Sequence, residues 1–293
     1  MTTHLHVHLE PNERKRHQLG RSMPSYDDAA RFFAEHAPDN PDRLAVDLDD
    51  LECFIKEFHA EQHAQGVRHA ELRLSPRRFL SPAVSLPEVL RSADRAVSGL
   101  RNPTVGLILL LNRDSSPEFV EELEGAVVSG LPSHFVGVDL AGDEVRFAEV
   151  NTFEGLFCAA RSAGLGVTVH AGEFGGPDNI WRAIDQLGAD RIGHAVSAVG
   201  CRQLAARLRA DRILVEVSVS SNVALGAVPG LESHPLPWFV ENDIPICLNT
   251  DIPMHLGTNL RMEQQAAGRL VKDQRILDAM ETAARLYSFS SSL

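Results

Sequence analysis

Short β-rich runs recur along this chain, and between most of them lies a stretch of helical periodicity or helix-forming composition. That alternation demands parallel strands joined by crossover helices. The runs are Leu5 to Leu9, Ala70 to Leu74, Val105 to Leu111, Phe135 to Leu140, Val167 to His170, Arg191 to His194, Ile213 to Val219 and Ile244 to Leu248, eight in all. Helical segments fit between them: Leu51 to Gln65, Leu86 to Leu100, Pro117 to Val128, Phe153 to Ala163, Ile180 to Leu187, Gln203 to Ala210 and Pro235 to Glu241. Several stop at a glycine (Gly66, Gly164, Gly188), the residue that best accepts the left-handed turn after a helix. Eight such units in 293 residues make a (β/α)8 TIM barrel the expected fold, a single domain over residues 1–293. A doubly wound open sheet is the second reading, but no G-x-G-x-x-G follows the first strand, which removes its usual fingerprint.

The connection from Glu10 to about Asp49 is too long for a plain loop. A short helical insertion after strand 1, including Asp27 to Glu35, is expected there and could serve as a lid. The Ser-rich stretch Ser288 to Ser292 reads as a tail. A formal charge of -12 argues against nucleic acid or an anionic membrane as partner, because both are polyanions, and leaves a small molecule as the default. The longest apolar run, Val105 to Leu111, falls far short of the roughly 20 residues that span a bilayer. The amino terminus shows no basic segment, apolar stretch and cleavage site in succession, so a cytoplasmic location is expected. Cys53, Cys158, Cys201 and Cys247 are widely spaced inside expected helices and strands, and read as buried free thiols of a reducing compartment. Nothing in the sequence speaks to oligomeric state.

In such a barrel reactive groups project from the carboxyl ends of the strands. Strand 1 ends in His6-Val7-His8, strand 2 in Glu71-Leu72-Arg73, strand 4 in Asp139 to Glu144, strand 5 in His170-Ala171-Gly172-Glu173, strand 6 in His194, and Asp251 follows strand 8. His6 and His8 are two residues apart, so their side chains point the same way and can grip one ion. His4 and His6 have the same spacing, but the later pair lies nearer the strand's carboxyl end. An imidazole and carboxylate cluster without thiolate suits Zn2+ or a similar divalent ion, with a position open for water. His17, His36, His59, His63, His69, His134, His234 and His255 read as structural or surface residues. Glu71 and Arg73 read as a barrel-interior ion pair that supports the fold.

Seven segments, in order, resemble the motifs of the adenosine deaminase-like family of the amidohydrolase superfamily. They are His6-Val7-His8-Leu9-Glu10, Glu71 to Pro76, Val138 to Glu144, His170-Ala171-Gly172-Glu173, Arg191-Ile192-Gly193-His194, Ser220-Ser221-Asn222 and Leu248-Asn249-Thr250-Asp251. The resemblance implies one zinc ion per chain held by His6, His8, His170 and Asp251. It also implies Glu173 as proton donor to the substrate ring, and His194 as the residue that orients and deprotonates the attacking water, with Asp251 also helping to direct it. Asp139 resembles a supporting residue beside the site, Gly142 the position whose backbone meets the substrate ring, and Glu10 a position linked to the sugar hydroxyl.

The pattern also breaks in places. Ile252 stands where these deaminases usually carry a second aspartate that hydrogen-bonds to the purine, so it falls at a substrate-binding position without the polar group. Pro11 and Asn12 replace small residues, Ala195 and Ser218-Val219 are further departures, and the segment from Pro11 to Pro24 is shorter and carries Arg14, Lys15 and Arg16. That charge run reads as a solvated face, or more sharply as a clamp for a substrate anion. The expected reaction is hydrolytic deamination of a purine-like or other N-heterocyclic amine, as a nucleoside, base or modified analogue. The alternatives are metal-dependent cleavage of an amide or ester, and a ligand-binding homologue without catalysis.

Overall fold

The computed structural model describes residues 2–9, 26–35 and 46–290. The elements run β1 (Thr2–His8), α1 (Tyr26–Glu35), α2 (Leu48–Ala64), β2 (Val67–Leu74), α3 (Leu86–Val97), β3 (Thr104–Asn112), α4 (Pro117–Ser129), β4 (Phe135–Ala141), α5 (Glu154–Ser162) and β5 (Gly166–Ala171). They continue with α6 (Pro177–Asp185), β6 (Arg191–His194), α7 (Arg202–Ala210), β7 (Leu214–Val217), α8 (Val219–Ala224), α9 (Leu236–Glu241), β8 (Ile246–Leu248), α10 (Pro253–Leu256), α11 (Leu260–Val271) and α12 (Gln274–Leu286). The eight strands pair in parallel in sequence order, β1 to β8, which is a (β/α)8 barrel.

Local chemistry explains the elements. In α3, Ser85 and Glu88 form a capping box, and Leu86, Val89, Leu90, Ala93, Ala96 and Val97 line the buried stripe. In β3, every residue from Val105 to Leu111 is buried, the continuous apolar run of a strand covered on both faces. Closure between β8 and β1 is irregular. Val7 bridges to Asp251, beyond the end of β8, and Asn249 Oδ1 accepts from the backbone N–H of Leu5 at 3.0 Å and His6 at 2.8 Å. A side-chain amide thus replaces part of the backbone ladder where β1 shifts register between His4 and Val7.

The interior carries an ion-pair lattice. Arg73 reaches Asp139 and Glu216, each at 2.5 Å, and its guanidinium also donates to Leu5 O at 2.6 Å. Arg191 pairs with Glu71 at 2.6 Å and lies 2.8 Å from Glu216 Oε1, close enough for attraction though outside hydrogen-bond alignment. Glu71 and Arg73 are therefore both ion-paired inside the barrel, but with other strands and not with each other. Side chains alternate along a strand, yet two residues apart they stand about 6.6 Å apart along the backbone and look across the lumen.

The structure corrects the tail. Ser288 Oγ and the Phe289 N–H both donate to Glu71 Oε1 at 2.7 Å, and the Phe289 ring lies 3.6 Å from the Arg191 guanidinium carbon. Glycines make room for that ring: a Cβ on Gly166 would meet Phe289 at 2.1 Å, and one on Gly137 at 2.7 Å. Three further differences concern elements. β7 stops at Val217, because Val219 opens α8; α8, α10, α11 and α12 were not anticipated; and of the four cysteines, all free, only Cys247 is buried. Cys158 is exposed and Cys53 and Cys201 are half-buried, since each occupies the outer side of a helix or its start. No helix among the described residues is long and apolar enough to cross a membrane.

Candidate active site

Parallel register gathers the strand-end residues. His170 pairs in register with Gly193 and Ala171 with His194, so β5 and β6 deliver their imidazoles side by side. The absent side chain at Gly193 matters, because a Cβ there would sit 3.1 Å from His6 Cε1 and 3.4 Å from the His170 Cα. His6, His170, His194 and Asp251 each offer a ligand atom within 4.8 Å of the others. His8 joins them through Nε2, which is 3.2 Å from His170 Nε2 and 3.2 Å from Asp251 Oδ1. All five sequence candidates for the metal and its surroundings therefore meet at the barrel mouth. His4 points elsewhere, bonded to Gln62 at 2.8 Å and Thr250 at 3.0 Å, which resolves its competition with His8.

Partners on the far side aim the rings. His6 Nδ1 meets Glu216 Oε2 at 2.9 Å, His170 Nδ1 meets Asp139 Oδ1 at 3.1 Å, and Ser221 Oγ donates to Asp251 Oδ2 at 2.5 Å. Carboxylates on the outer ring nitrogens turn the inner Nε2 atoms toward one another, the arrangement that raises ligand basicity in metal sites. His6 Nε2 and His194 Nε2 are buried without a hydrogen-bond partner. Asp251 Oδ1 lies 3.2 Å from His6 Nε2, but misaligned for a hydrogen bond. An orphaned His6 Nε2 beside a carboxylate calls for a cation, so this donor set fits a divalent metal. His194 and Asp251 also sit at positive φ, 69° and 62°, a strained conformation for residues with a Cβ and one concentrated at functional sites.

Electrostatics separates the carboxylates. Burial, reinforced by the charges of Asp251 and Glu144, pushes Glu173 well above the usual carboxylate range. Asp251 goes the other way: burial would raise it, but the imidazoles of His6 and His8 beside it outweigh that and hold it well below. Burial lowers His8 to about 4 and His194 well below its ordinary value, leaving neutral imidazoles.

Several supporting residues escaped the sequence reading. Glu144 accepts from the backbone N–H groups of Gly172, Phe174 and Gly175 at 2.7, 2.6 and 2.9 Å, and so clamps the loop that carries Glu173. Arg113 donates to His170 O at 2.9 Å. Glu216 lies mid-strand on β7, and a lone glutamate in an apolar strand was the signal for it. Gly142 ends β4 at φ 110°, a backbone only glycine takes readily. Ile252 packs with Ala29, Phe32 and Leu225, against Phe174 and Leu256. The expected insertion helix is α1, and Tyr26 ties it to Asp143 at 2.6 Å. Glu10, Arg14, Lys15, Arg16, His17 and His36 lie outside the described residues.

The adenosine deaminase profile matches residues 23–288. The chain belongs to the adenosine deaminase family. Curated proteins of this family that the chain resembles are adenosine deaminases. An adenosine deaminase of Pectobacterium atrosepticum is 32% identical, over 96% of this chain and 88% of that one. The chain spans 61% of the length of the Edwardsiella ictaluri adenosine deaminase, at 38% identity over 69% of its own. In three dimensions it is similar to an adenine deaminase from Arthrobacter aurescens, with TM-score 0.84 and 24% identity over 99% of this chain and 94% of that one. At that identity the likeness speaks for the fold alone.

Proposed function

We propose that this chain, read as one domain, deaminates a purine base, nucleoside or modified analogue with one zinc ion per chain. The observation that carries the reading is the buried cluster of His6, His170, His194 and Asp251 with an unpartnered His6 Nε2, beside which stands Glu173, whose carboxyl burial pushes up. His6, His8, His170 and Asp251 would hold the metal, and His194 stands next to them. Zinc bound by such a set lowers the pKa of water from 15.7 to about 7, which supplies a nucleophile at neutral pH.

The chain's own residues do the rest. Attack on the amino-bearing ring carbon removes a C=N bond, so the neighbouring ring nitrogen must gain a proton. Glu173, whose carboxyl burial pushes well above the usual range, donates it. His194 and Asp251 hold the nucleophile toward the carbon and the Gly142 backbone meets the ring; the added hydroxyl then passes its proton to the amino group, the C–N bond breaks as C=O forms, and the amine departs as ammonia. Glu10 is assigned to a sugar hydroxyl if the substrate is a nucleoside. The substrate is a small N-heterocyclic amine and neither nucleic acid nor membrane, in keeping with the charge of -12. A cytoplasmic location fits four free cysteines.

Ile252 bears on which amine is taken. An apolar cluster offers no partner to a ring nitrogen that an aspartate would bind, so adenosine need not be the preferred substrate. The experiment is metal analysis of the purified protein combined with ammonia release from aminopurines, aminopyrimidines and pterins. Zinc near one per chain with turnover of an aminopurine is the expected result. Folded, zinc-loaded protein that releases ammonia from none of them overturns the reading.

A further inference from the structure

His234 was read from the sequence as a structural residue, and Asn222 as part of a motif without an assigned task. The structure joins them in one chain of hydrogen bonds that ends on His194. It starts at a fixed donor: the backbone N–H of Leu236 gives its proton to His234 Nδ1 at 3.1 Å. A backbone N–H can only donate, so Nδ1 must be the bare nitrogen, and a neutral ring then carries its hydrogen on Nε2. His234 is 4% exposed, and burial lowers its pKa to about 4, so the ring is neutral at physiological pH.

Direction propagates from there. His234 Nε2 lies 3.2 Å from Asn222 Oδ1, which must accept. The Asn222 amide is thereby oriented with its nitrogen toward the site, independently of how oxygen and nitrogen are told apart in an amide. Its Nδ2 lies 3.0 Å from His194 Nδ1 and 3.3 Å from Glu173 Oε1, one hydrogen for each. Asn222 is wholly buried and His194 is 1% exposed, so no solvent competes for these bonds.

We propose that His234, acting through Asn222, is a positioning residue that fixes His194 as the Nε2–H tautomer. The unpartnered Nε2 of His194 faces the cluster carrying a hydrogen. In this state His194 donates a hydrogen bond to an oxygen in the site and takes no proton from it. That narrows the expected role of His194 to orienting the nucleophile. The same amide holds Glu173, so one relay orders both residues around the reacting carbon. The chemical consequence rests on the deaminase reading above, whereas the tautomer does not.

The test is histidine-ring 15N NMR on zinc-loaded protein, paired with steady-state kinetics. Wild type should show His194 protonated at Nε2 and bare at Nδ1. His234→Phe should lose that single tautomer and lower kcat about 10- to 100-fold, the usual cost of an outer partner, with little change in KM. His234→Gln, whose amide can accept from Leu236 and donate to Asn222, should restore most of both. Should His234→Phe fail to fold, Asn222→Ala makes the same break. An Nδ1–H tautomer in wild type, or an unchanged His194 in the folded variants, overturns the proposal. A protein that deaminates nothing but keeps the tautomer, and loses it in His234→Phe, overturns the deaminase reading and supports the relay.

Discussion

The barrel interior and its mouth are built from the same residue types and treat them in opposite ways. Inside, Glu71, Asp139 and Glu216 each have a guanidinium within 2.5 to 2.6 Å, supplied by Arg73 or Arg191. At the mouth no arginine reaches Glu173 or Asp251 among the described contacts, four imidazoles crowd one carboxylate, and two ring nitrogens have no hydrogen-bond partner. In the interior lattice every one of these carboxylates has a guanidinium partner. The mouth is complete only with something that the chain does not supply. A charged residue on a barrel strand therefore says little about function until its partners are known; the unfinished cluster marks the chemistry.

The largest expected effect separates the two regions by catalysis. Glu173→Gln keeps the size and the Asn222 contact but cannot give up an acidic proton. Turnover should fall by about 10^2 to 10^4-fold, the range of general acid catalysis, while zinc content stays that of wild type. Loss of zinc along with activity would make Glu173 part of the metal site and blur the distinction.

The converse change lies inside. Arg191→Leu leaves Glu71 and Glu216 each short of a buried counter-charge, and breaking such a pair costs about 3 to 5 kcal/mol. Urea unfolding should show that loss. Glu173→Gln should show no comparable one. A small stability change in Arg191→Leu would mean that Arg73 alone can neutralise the lattice.

Acid should act on the interior as well. Burial pushes Glu71 up, but Arg191 and His69 outweigh it and bring the carboxyl down to about 2, and Glu216 and Asp139 are also held low. A carboxyl with a depressed folded pKa stabilises the fold fully above its ordinary value and loses that contribution as pH falls. Stability should thus be level above the ordinary carboxylate value and drop steadily toward about pH 2. Glu71→Gln should flatten part of that slope in urea midpoints measured across the range. An unaltered slope would move the acid sensitivity elsewhere.

Much of this was legible in the sequence because strand periodicity and strand-end position are local properties. His6, His8, His170, Glu173, His194 and Asp251 could be found by asking what ends each run. Residues that act through partners were not legible. Glu216 and His234 earn their places by contacts to His6 and Asn222 across 210 and 12 residues of chain, and no periodicity encodes a hydrogen-bond direction. α8 was hidden for a related reason. Val219 continues the alternation of Val215 and Val217 in β7, while Ser221 and Asn222 of α8 find buried partners in Asp251 and His194. The tail at Ser288 and Phe289 likewise looked polar and loose until Glu71 and the glycines beneath it were in place.

Ile252 gives the comparison its smallest and sharpest test, because it adjoins Asp251 at the mouth yet is packed like the interior, with Ala29 and Phe32 of α1 and Leu225 around it. Ile252→Asp would bring the unfinished condition one residue further. In the free enzyme a neutral carboxyl there is buried among apolar groups, at a cost of about 1 to 3 kcal/mol for the unmet hydrogen bonds. Burial keeps such a carboxyl protonated, and its O–H could donate to a purine ring nitrogen, so the ratio of kcat/KM for adenosine over other amines should rise about tenfold, as one recovered hydrogen bond allows. Lower stability without a change in that ratio would place Ile252 with the packed interior, holding α1 against the mouth, and leave substrate choice to other residues.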